Sequence, residues 1–478
     1  MSYTLSPQVH LMDRDGESFL VCKSPLCVLR LNSALKQLIE RMASDPVEPG
    51  TPAERDVLEQ LVAKGFVRHT RDAALPGNLP LVSIVIPVKD RAEELRRCLE
   101  SLHAIDYPRN LLQLIVVDDG SRDDSPQVAR QYGALLVPSG GCGRGPAAAR
   151  NVGARVATGE ILAFIDSDCT ASTGWLNELL PSFSDPAVAA VGGRVDGMCT
   201  ESEVDRYEAV MSSLSLGRHA RSGSSGDDTF YLPSCNLLLR RSAFINAGGF
   251  KDEMHVGEDV DLTWRLRDSG WTIVYLPAGR VNHEHRSTVR SFMSRRFDYG
   301  TSEGMLQRIH PQRRKRMVVP PLLALLLTLF ALAPFTAWWS LAAAAVVLVT
   351  DALVVRRAMT QRRVPVGMVD ILGGRLRALG SLLYYLSFHL IRYYSLILIV
   401  AALFVPSLWL VLLALLVCAA GVDFSVKKPS QPFAAFTVIY ALEHIAYGSG
   451  VFWGCLTRGC FSSYRVVIMR QMELPTQA

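Results

Sequence analysis

The sequence predicts an α/β protein in three parts: a small winged-helix module, a domain built on a parallel sheet, and a helical membrane region. Three observations predict it. Apolar runs at Ser83 to Val88, Leu114 to Val117, Ala134 to Val137 and Ile161 to Ile165 alternate with helical stretches, the pattern of a parallel sheet covered on both faces. Residues 317 to 350 and 393 to 422 contain no Asp, Glu, Lys or Arg, and such runs exceed the roughly 20 apolar residues of one membrane-spanning helix. Residues 1–70 combine short strands and two amphipathic helices in too little chain for an enzyme domain. The expected boundaries are 1–70 for the module, 71–80 for a linker containing Pro76, Gly77 and Pro80, 81–316 for the sheet domain and 317–478 for the membrane region.

In the first part, Val9 to Leu11, Ser18 to Cys22 and Val28 to Leu31 read as short strands. A helix follows from Asn32 to Met42, with Leu35, Leu38 and Ile39 on one face. After the Pro46 to Pro52 break, Glu54 to Lys64 repeats the helical period until Gly65 stops it, and Phe66-Val67 begins another strand. This order fits a winged-helix unit. In the second part, helices are expected at Arg91 to Leu102, Pro126 to Tyr132 and Ala147 to Ala157, with a glycine-rich loop at Gly140 to Gly145. Ligands of such sheets bind at the carboxyl ends of the strands, which is where the acidic residues fall.

Charge and cysteine usage exclude several classes. A net charge of +5 is too modest for a dedicated nucleic-acid binder. Arg308, Arg313, Arg314, Lys315 and Arg316 precede the first apolar run, and basic flanks favour the cytoplasmic side. No signal-peptide pattern opens the chain, so the soluble part is expected in the cytosol, anchored to the inner membrane. The 10 cysteines have no paired spacing and read as reduced packing residues without a metal role.

Two acidic clusters carry the expected chemistry. Asp166-Ser167-Asp168 follows a buried strand, and carboxylates at i and i+2 there can converge on a hard divalent cation, Mg2+ or Mn2+. Such a cation neutralises charge on a departing diphosphate. Asp118-Asp119 closes the second apolar run; one of the two can accept a hydrogen bond from the N–H of a uracil-like or thymine-like base, and one can serve only an Asx-turn. Asp90, after Pro87 at the end of the first run, can cap the next helix or reach the base. Gly257-Glu258-Asp259 opens a later helix, where acids suit either the helix dipole or the role of a base that takes a proton from an acceptor hydroxyl. Asp259 is the choice for that base, with Glu258 positioning a partner or the acceptor.

Together Pro87 to Arg91, Val117 to Ser121, Ala147 to Gly153, Phe164 to Asp168 and Gly257-Glu258-Asp259 resemble family 2 glycosyltransferases of the GT-A (Rossmann-like) fold, over roughly residues 82 to 285. The resemblance implies inverting, single-displacement transfer from a nucleotide sugar. It implies Pro87, Asp90 and Asp119 on the nucleotide side, Asp168 as principal metal ligand with Asp166 assisting, and Asp259 as general base. It also implies Arg144 as a phosphate contact and a late histidine, His283 or His285, in the metal or diphosphate site. Either histidine can instead be a core or surface residue. Processive relatives carry Gln-x-x-Arg-Trp near the membrane, whereas Ser294-Arg295-Arg296-Phe297-Asp298 stands here, so addition of one or a few sugars is expected. The N-terminal part resembles PqqD-like peptide-recognition modules through Asp56 to Gly65, in whose relatives a peptide adds to the sheet edge. Module, GT-A domain and hydrophobic third together are similar to the mycofactocin glycosyltransferases, which implies UDP-glucose as donor, a peptide-derived redox cofactor or its precursor peptide as acceptor, and a short β-1,4-glucan as product.

In the last third, Val318 to Val355 with Pro334 fits two spans, Leu382 to Gly421 fits a hairpin or one kinked span, and Pro432 to Leu456 fits another despite Glu443 and His444. About four transmembrane helices with both ends cytoplasmic are expected. Two other functions remain open: a non-catalytic peptide-binding scaffold, and synthesis of a cell-envelope polysaccharide or lipid-linked glycan.

Overall fold

A computed structural model describes the chain except for residues 1, 15, 24–25, 71–77, 142, 225–227, 314–316, 337, 362–366 and 469–478. Most of the expected linker, and Arg314, Lys315 and Arg316 of the basic cluster, lie outside the described residues. The chain forms two compact units, one from Met1–Asp72, Lys315–Val422 and Tyr464–Ala478, the other from Ala73–Arg314 and Asp423–Ser463.

The first unit opens with β1 (Ser2–Leu5), β2 (Val9–Arg14), β3 (Glu17–Lys23) and β4 (Leu26–Leu31), then α1 (Ser33–Ser44), α2 (Pro52–Ala63) and β5 (Val67–Thr70). β2, β3 and β4 form an antiparallel meander, and β1 pairs with β5. Asn32 caps α1 by accepting from the Leu35 amide, and Thr51 caps α2 ahead of Pro52. Leu38, Ile39, Leu58 and Leu61 meet Tyr3, Leu20 and Phe66 in one core. β1 escaped sequence reading because four residues show no clear period.

In the second unit β6 (Val82–Val88), α3 (Ala92–His103), β7 (Leu112–Asp118), α4 (Ser125–Gln131), β8 (Leu135–Pro138), α5 (Pro146–Val156) and β9 (Ile161–Ile165) alternate as expected. β10 (Cys169–Ala171), α6 (Trp175–Leu179), β11 (Val188–Gly192), β12 (Val195–Gly197), α7 (Glu203–Met211), β13 (Arg221–Gly223), β14 (Asn236–Arg240), α8 (Arg241–Asn246), α9 (Glu258–Asp268), β15 (Thr272–Tyr275), β16 (Val281–His283) and α10 (Val289–Ile309) follow. The main sheet has the order β13-β15-β11-β14-β9-β6-β7-β8. β6 to β9 run parallel, but β14 lies antiparallel between β9 and β11, so the sheet is mixed rather than all parallel. Antiparallel β14 brings its N-terminal end beside the C-terminal end of β9. Residues 234–235, just before β14, therefore arrive next to Asp166. A three-stranded sheet, β10-β16-β12, places His283 opposite Cys169.

The apolar third contains β17 (Met317–Val319), α11 (Pro321–Thr336), α12 (Trp339–Gln361), α13 (Met368–Phe404), α14 (Leu408–Lys427), α15 (Phe433–Arg458) and β18 (Val466–Ile468). Among the described residues three helices, α12, α13 and α14, are long and apolar enough to cross a membrane, and Pro321–Ala333 is a shorter apolar stretch. The chain breaks at Pro406, between α13 and α14, in the middle of Leu382 to Gly421. The stretch expected as a span at Pro432 to Leu456 forms α15, which is not among these three helices and packs along α10 inside the second unit. Gly300 and Gly304 face Gly450 and Gly454, and a Cβ on Gly450 would stand 2.0 Å from the Phe297 carbonyl oxygen. Such small-residue spacing lets two helix backbones approach closely. Glu443, the acid that made a span costly, meets Tyr207 and Arg296 instead. Gly450→Ala is therefore expected to destabilise this unit by about 1–3 kcal/mol. Gly380→Ala, inside α13 where a Cβ meets nothing within 4 Å, is expected to leave the detergent-solubilised protein unfolding at no lower a temperature.

Candidate active site

Ion pairs join the carboxyl ends of β6 and β9 and the start of α9, while hydrogen bonds tie the end of β7 to the loop before α5. Asp119 is 4% exposed. Its carboxylate accepts from Ser139 Oγ at 2.6 Å, the Arg144 amide at 3.0 Å and the Gly145 amide at 2.9 Å. A carboxylate offers about four acceptor positions, so Asp119 fixes the glycine-rich loop and retains one acceptor. Asp118 braces the turn after β7, accepting from the Ser121 amide three residues on rather than in an Asx-turn. Gly145 holds φ +92 as the N-cap of α5, a conformation that a side chain resists.

One expectation is corrected here. Asp90 does not cap α3: the N-cap residue is Arg91, whose side chain makes no cap bond, and Asp123 accepts from the Ala92 amide. Its carboxylate accepts from the Arg122 amide and its own amide donates to Ser121 Oγ, so it laces the loop after β6 to the loop after β7, with φ +52. The Arg144 guanidinium donates to the Ser139 carbonyl and to Asp252. Pro87 sits within β6 opposite Val117.

The link between the two acidic motifs is Arg150 on α5, 2% exposed. One nitrogen donates to Glu258 Oε1 at 2.8 Å and another to Asp166 Oδ1. Asp166 is thus engaged by Arg150. Asp168 pairs through Oδ2 with Arg91, while Oδ1 faces His283 Nε2 at 3.6 Å and Cys169 Sγ at 3.9 Å. Burial opposes its charge, but His283 and Arg91 hold the Asp168 carboxyl below its ordinary value. His285 is buried, and burial together with His283 pushes it down to about 3. It packs by Gly197 and Glu208, so His283 is the histidine beside Asp168. The donor set of Asp168, Cys169 and His283 suits a divalent cation, since their ligand atoms lie within 4.8 Å of one another.

Asp259 and Asp261 stand two residues apart on α9 in opposite environments. Burial and the Glu258 charge push the Asp259 carboxyl up to about 7, although it accepts from the Ser234 amide at 3.1 Å. Asp261 overcomes its burial through His310, Lys251 and Arg265 and falls to about 2. Divergent values for neighbouring acids separate a proton acceptor from a structural anchor. Arg91 and Arg150 stand inside the sequence motifs, but the motifs do not reveal their partners, and Ser234 lies outside them. Arg295 also lies within electrostatic reach of Asp166 and Glu258, its guanidinium 4.9 Å from the Tyr299 ring centre. A basic residue near a helix start gives no sequence signal for that.

A strand-end acid pair, a buried arginine clamp and a carboxyl raised to about 7 thus lie together at the ends of strands of a mixed α/β sheet. The family description Glycosyl transferase family 2 matches residues 83–248, and the chain belongs to that family, with the GT-A fold. Across nearly its whole length it is similar to the pre-mycofactocin glycosyltransferase of Mycobacterium tuberculosis, strains CDC 1551 and H37Rv, at 32% identity over 455 residues covering 92% of each chain. Glycosyltransferase AglE of Haloferax volcanii is 29% identical over 210 residues, 42% of this chain and 66% of that protein. Among solved structures, the mannosyltransferase PcManGT from Pyrobaculum calidifontis, in complex with GDP-Man and Mn2+, is similar over 64% of this chain and 89% of that one, with 21% identity and a TM-score of 0.39, too distant to bear on the site.

Proposed function

We propose that this glycosyltransferase transfers glucose from UDP-glucose, with inversion, to a peptide-derived redox cofactor of the pre-mycofactocin type, building a short β-1,4-linked glycan. The observation that carries the chemistry is the Asp259 carboxyl raised to about 7 beside a buried clamp. The 32% identity over 92% of both chains supports the acceptor.

In the proposed reaction Asp259 accepts the proton of the acceptor hydroxyl as that oxygen attacks the anomeric carbon, and the bond from carbon to the nucleotide diphosphate oxygen breaks on the opposite face. A base poised near the working pH is most efficient at this transfer. Glu258 and Arg150 hold Asp166 and the first turn of α9 in register, so the donor side and the base keep a fixed separation. Asp119, with its remaining acceptor, takes the N–H of the base ring. Arg295 offers a cation to the diphosphate. Asp168 and His283 would hold Mg2+ or Mn2+, which supplies neutralisation of charge on the departing diphosphate. The N-terminal unit at 1–70 is assigned as the PqqD-like module that meets the peptide precursor. The apolar helices anchor the chain in the inner membrane, with the domain at 81–316 in the cytosol.

Purified protein incubated with nucleotide sugars and a pre-mycofactocin acceptor tests this reading. Mass increments of one to a few hexoses from UDP-glucose are expected. Long polymers, transfer only to lipid acceptors, or no transfer from any donor would each count against it.

A further inference from the structure

Cys169 lies beside the assigned cation site and has no task in the transfer. It is 1% exposed, sits opposite His283 in the β10–β16 register, and its sulfur is 3.9 Å from Asp168 Oδ1. His283 Nε2 is 3.6 Å from the same oxygen. Arg91 occupies the other carboxylate oxygen, so Oδ1 is the edge that turns toward both the imidazole and the thiol. Tetrahedral ligands at roughly 2.0–2.3 Å from a metal stand roughly 3.4–3.8 Å apart, close to the two separations from Oδ1. Mg2+ has no use for a thiol; soft, thiophilic ions do.

We propose that Cys169 is a metal ligand, making the Asp168–Cys169–His283 centre a site for thiophilic divalent ions such as Zn2+ and Cd2+. This rests on the reading that Asp168 and His283 hold the cation. The cysteine then acts as a selectivity element: hard ions use the oxygen and nitrogen, and soft ions gain a sulfur. Binding is balanced by loss of one proton, since the thiol gives up its hydrogen to solvent as the metal–sulfur bond forms, with no change of oxidation state. The expectation that every cysteine serves only packing is revised at this position.

The test is titration of the full-length, detergent-solubilised, reduced protein with Cd2+, followed by ultraviolet absorption for the sulfur-to-cadmium charge-transfer band, with Mn2+ binding measured in parallel by electron paramagnetic resonance. Wild type is expected to show the band at one equivalent. Cys169→Ser is expected to lose it and to bind Cd2+ about 10–100-fold more weakly, while Mn2+ affinity stays within about two-fold. Circular dichroism establishes that the variant is folded, and Cys169→Ala, which keeps a small apolar side chain, must lose the band as well. A band of undiminished intensity in both variants would place the sulfur elsewhere and overturn the proposal. So would Mn2+ binding by wild type without any cadmium–sulfur band, and in that case the cation site itself still stands. Failure of wild type to bind either ion would overturn the cation site and the proposal with it.

Discussion

Replacing Asp259 by asparagine is expected to lower kcat by about 10²–10⁴-fold, the range general-base catalysis contributes, with KM for the donor nearly unchanged. The amide can still accept from the Ser234 backbone, as the carboxylate does at 3.1 Å, so the first turn of α9 keeps its anchor. The pH profile separates catalysis from packing. Wild-type kcat/KM is expected to rise through an apparent pKa of about 7 and level off above it, because the ionised form of Asp259 is the active one. The stability effect has the opposite sign. A carboxyl whose folded value is raised from 3.8 to about 7 contributes stability at low pH, and that contribution is lost as pH climbs from about 4 through about 7. Asp259→Asn is therefore expected to melt no lower than wild type at pH 8 while turning over far more slowly. A variant that is both inactive and markedly unstable at pH 8 would show that Asp259 holds the fold together.

The second large effect belongs to Arg150. Its guanidinium pairs with Glu258 and Asp166, both motifs depending on one 2%-exposed side chain. Arg150→Met keeps much of the apolar stem and removes the charge, leaving Glu258 buried without its cation. Breaking a buried pair on one side costs about 3–5 kcal/mol. The expected result is a melting temperature lowered by several degrees together with loss of turnover, since Glu258 repels Asp259 and nothing steadies Asp166. Arg150→Lys is expected to recover part of the stability and little activity, because a point charge cannot reach two carboxylates as a planar fork does. Thermal unfolding and single-turnover rates on the same preparations measure both. Near-wild-type turnover in Arg150→Met would remove the clamp from the account of the site.

The alternation of strands and helices from Val82 to Ile165 was plain in the sequence because continuous apolar runs bounded by charged helices leave few alternatives. Acidic residues at the strand ends were plain for the same reason. Antiparallel β14 was not, since period and composition do not encode the direction in which a buried strand enters a sheet. Nor was the place of α15. Its apolar sequence reads equally as a lipid-facing span or as a helix packed on a partner, and the Glu443 hydroxyl partner Tyr207 is 236 positions away. Arg91 and Arg150 were visible as letters within motifs, but their partners Asp168, Asp166 and Glu258 come from other strands and helices.

By itself the sequence determined the family, the order of the strands and helices around the acidic motifs, and the presence of apolar helices long enough to cross a membrane. Those properties rest on local spacing, which is written along the chain. The tertiary structure alone decided which histidine faces Asp168, that Asp90 and Arg144 brace loops, and that Asp259 rather than Asp261 has the raised carboxyl. Each of these depends on burial and on charges brought from distant segments, and only the folded chain sets those.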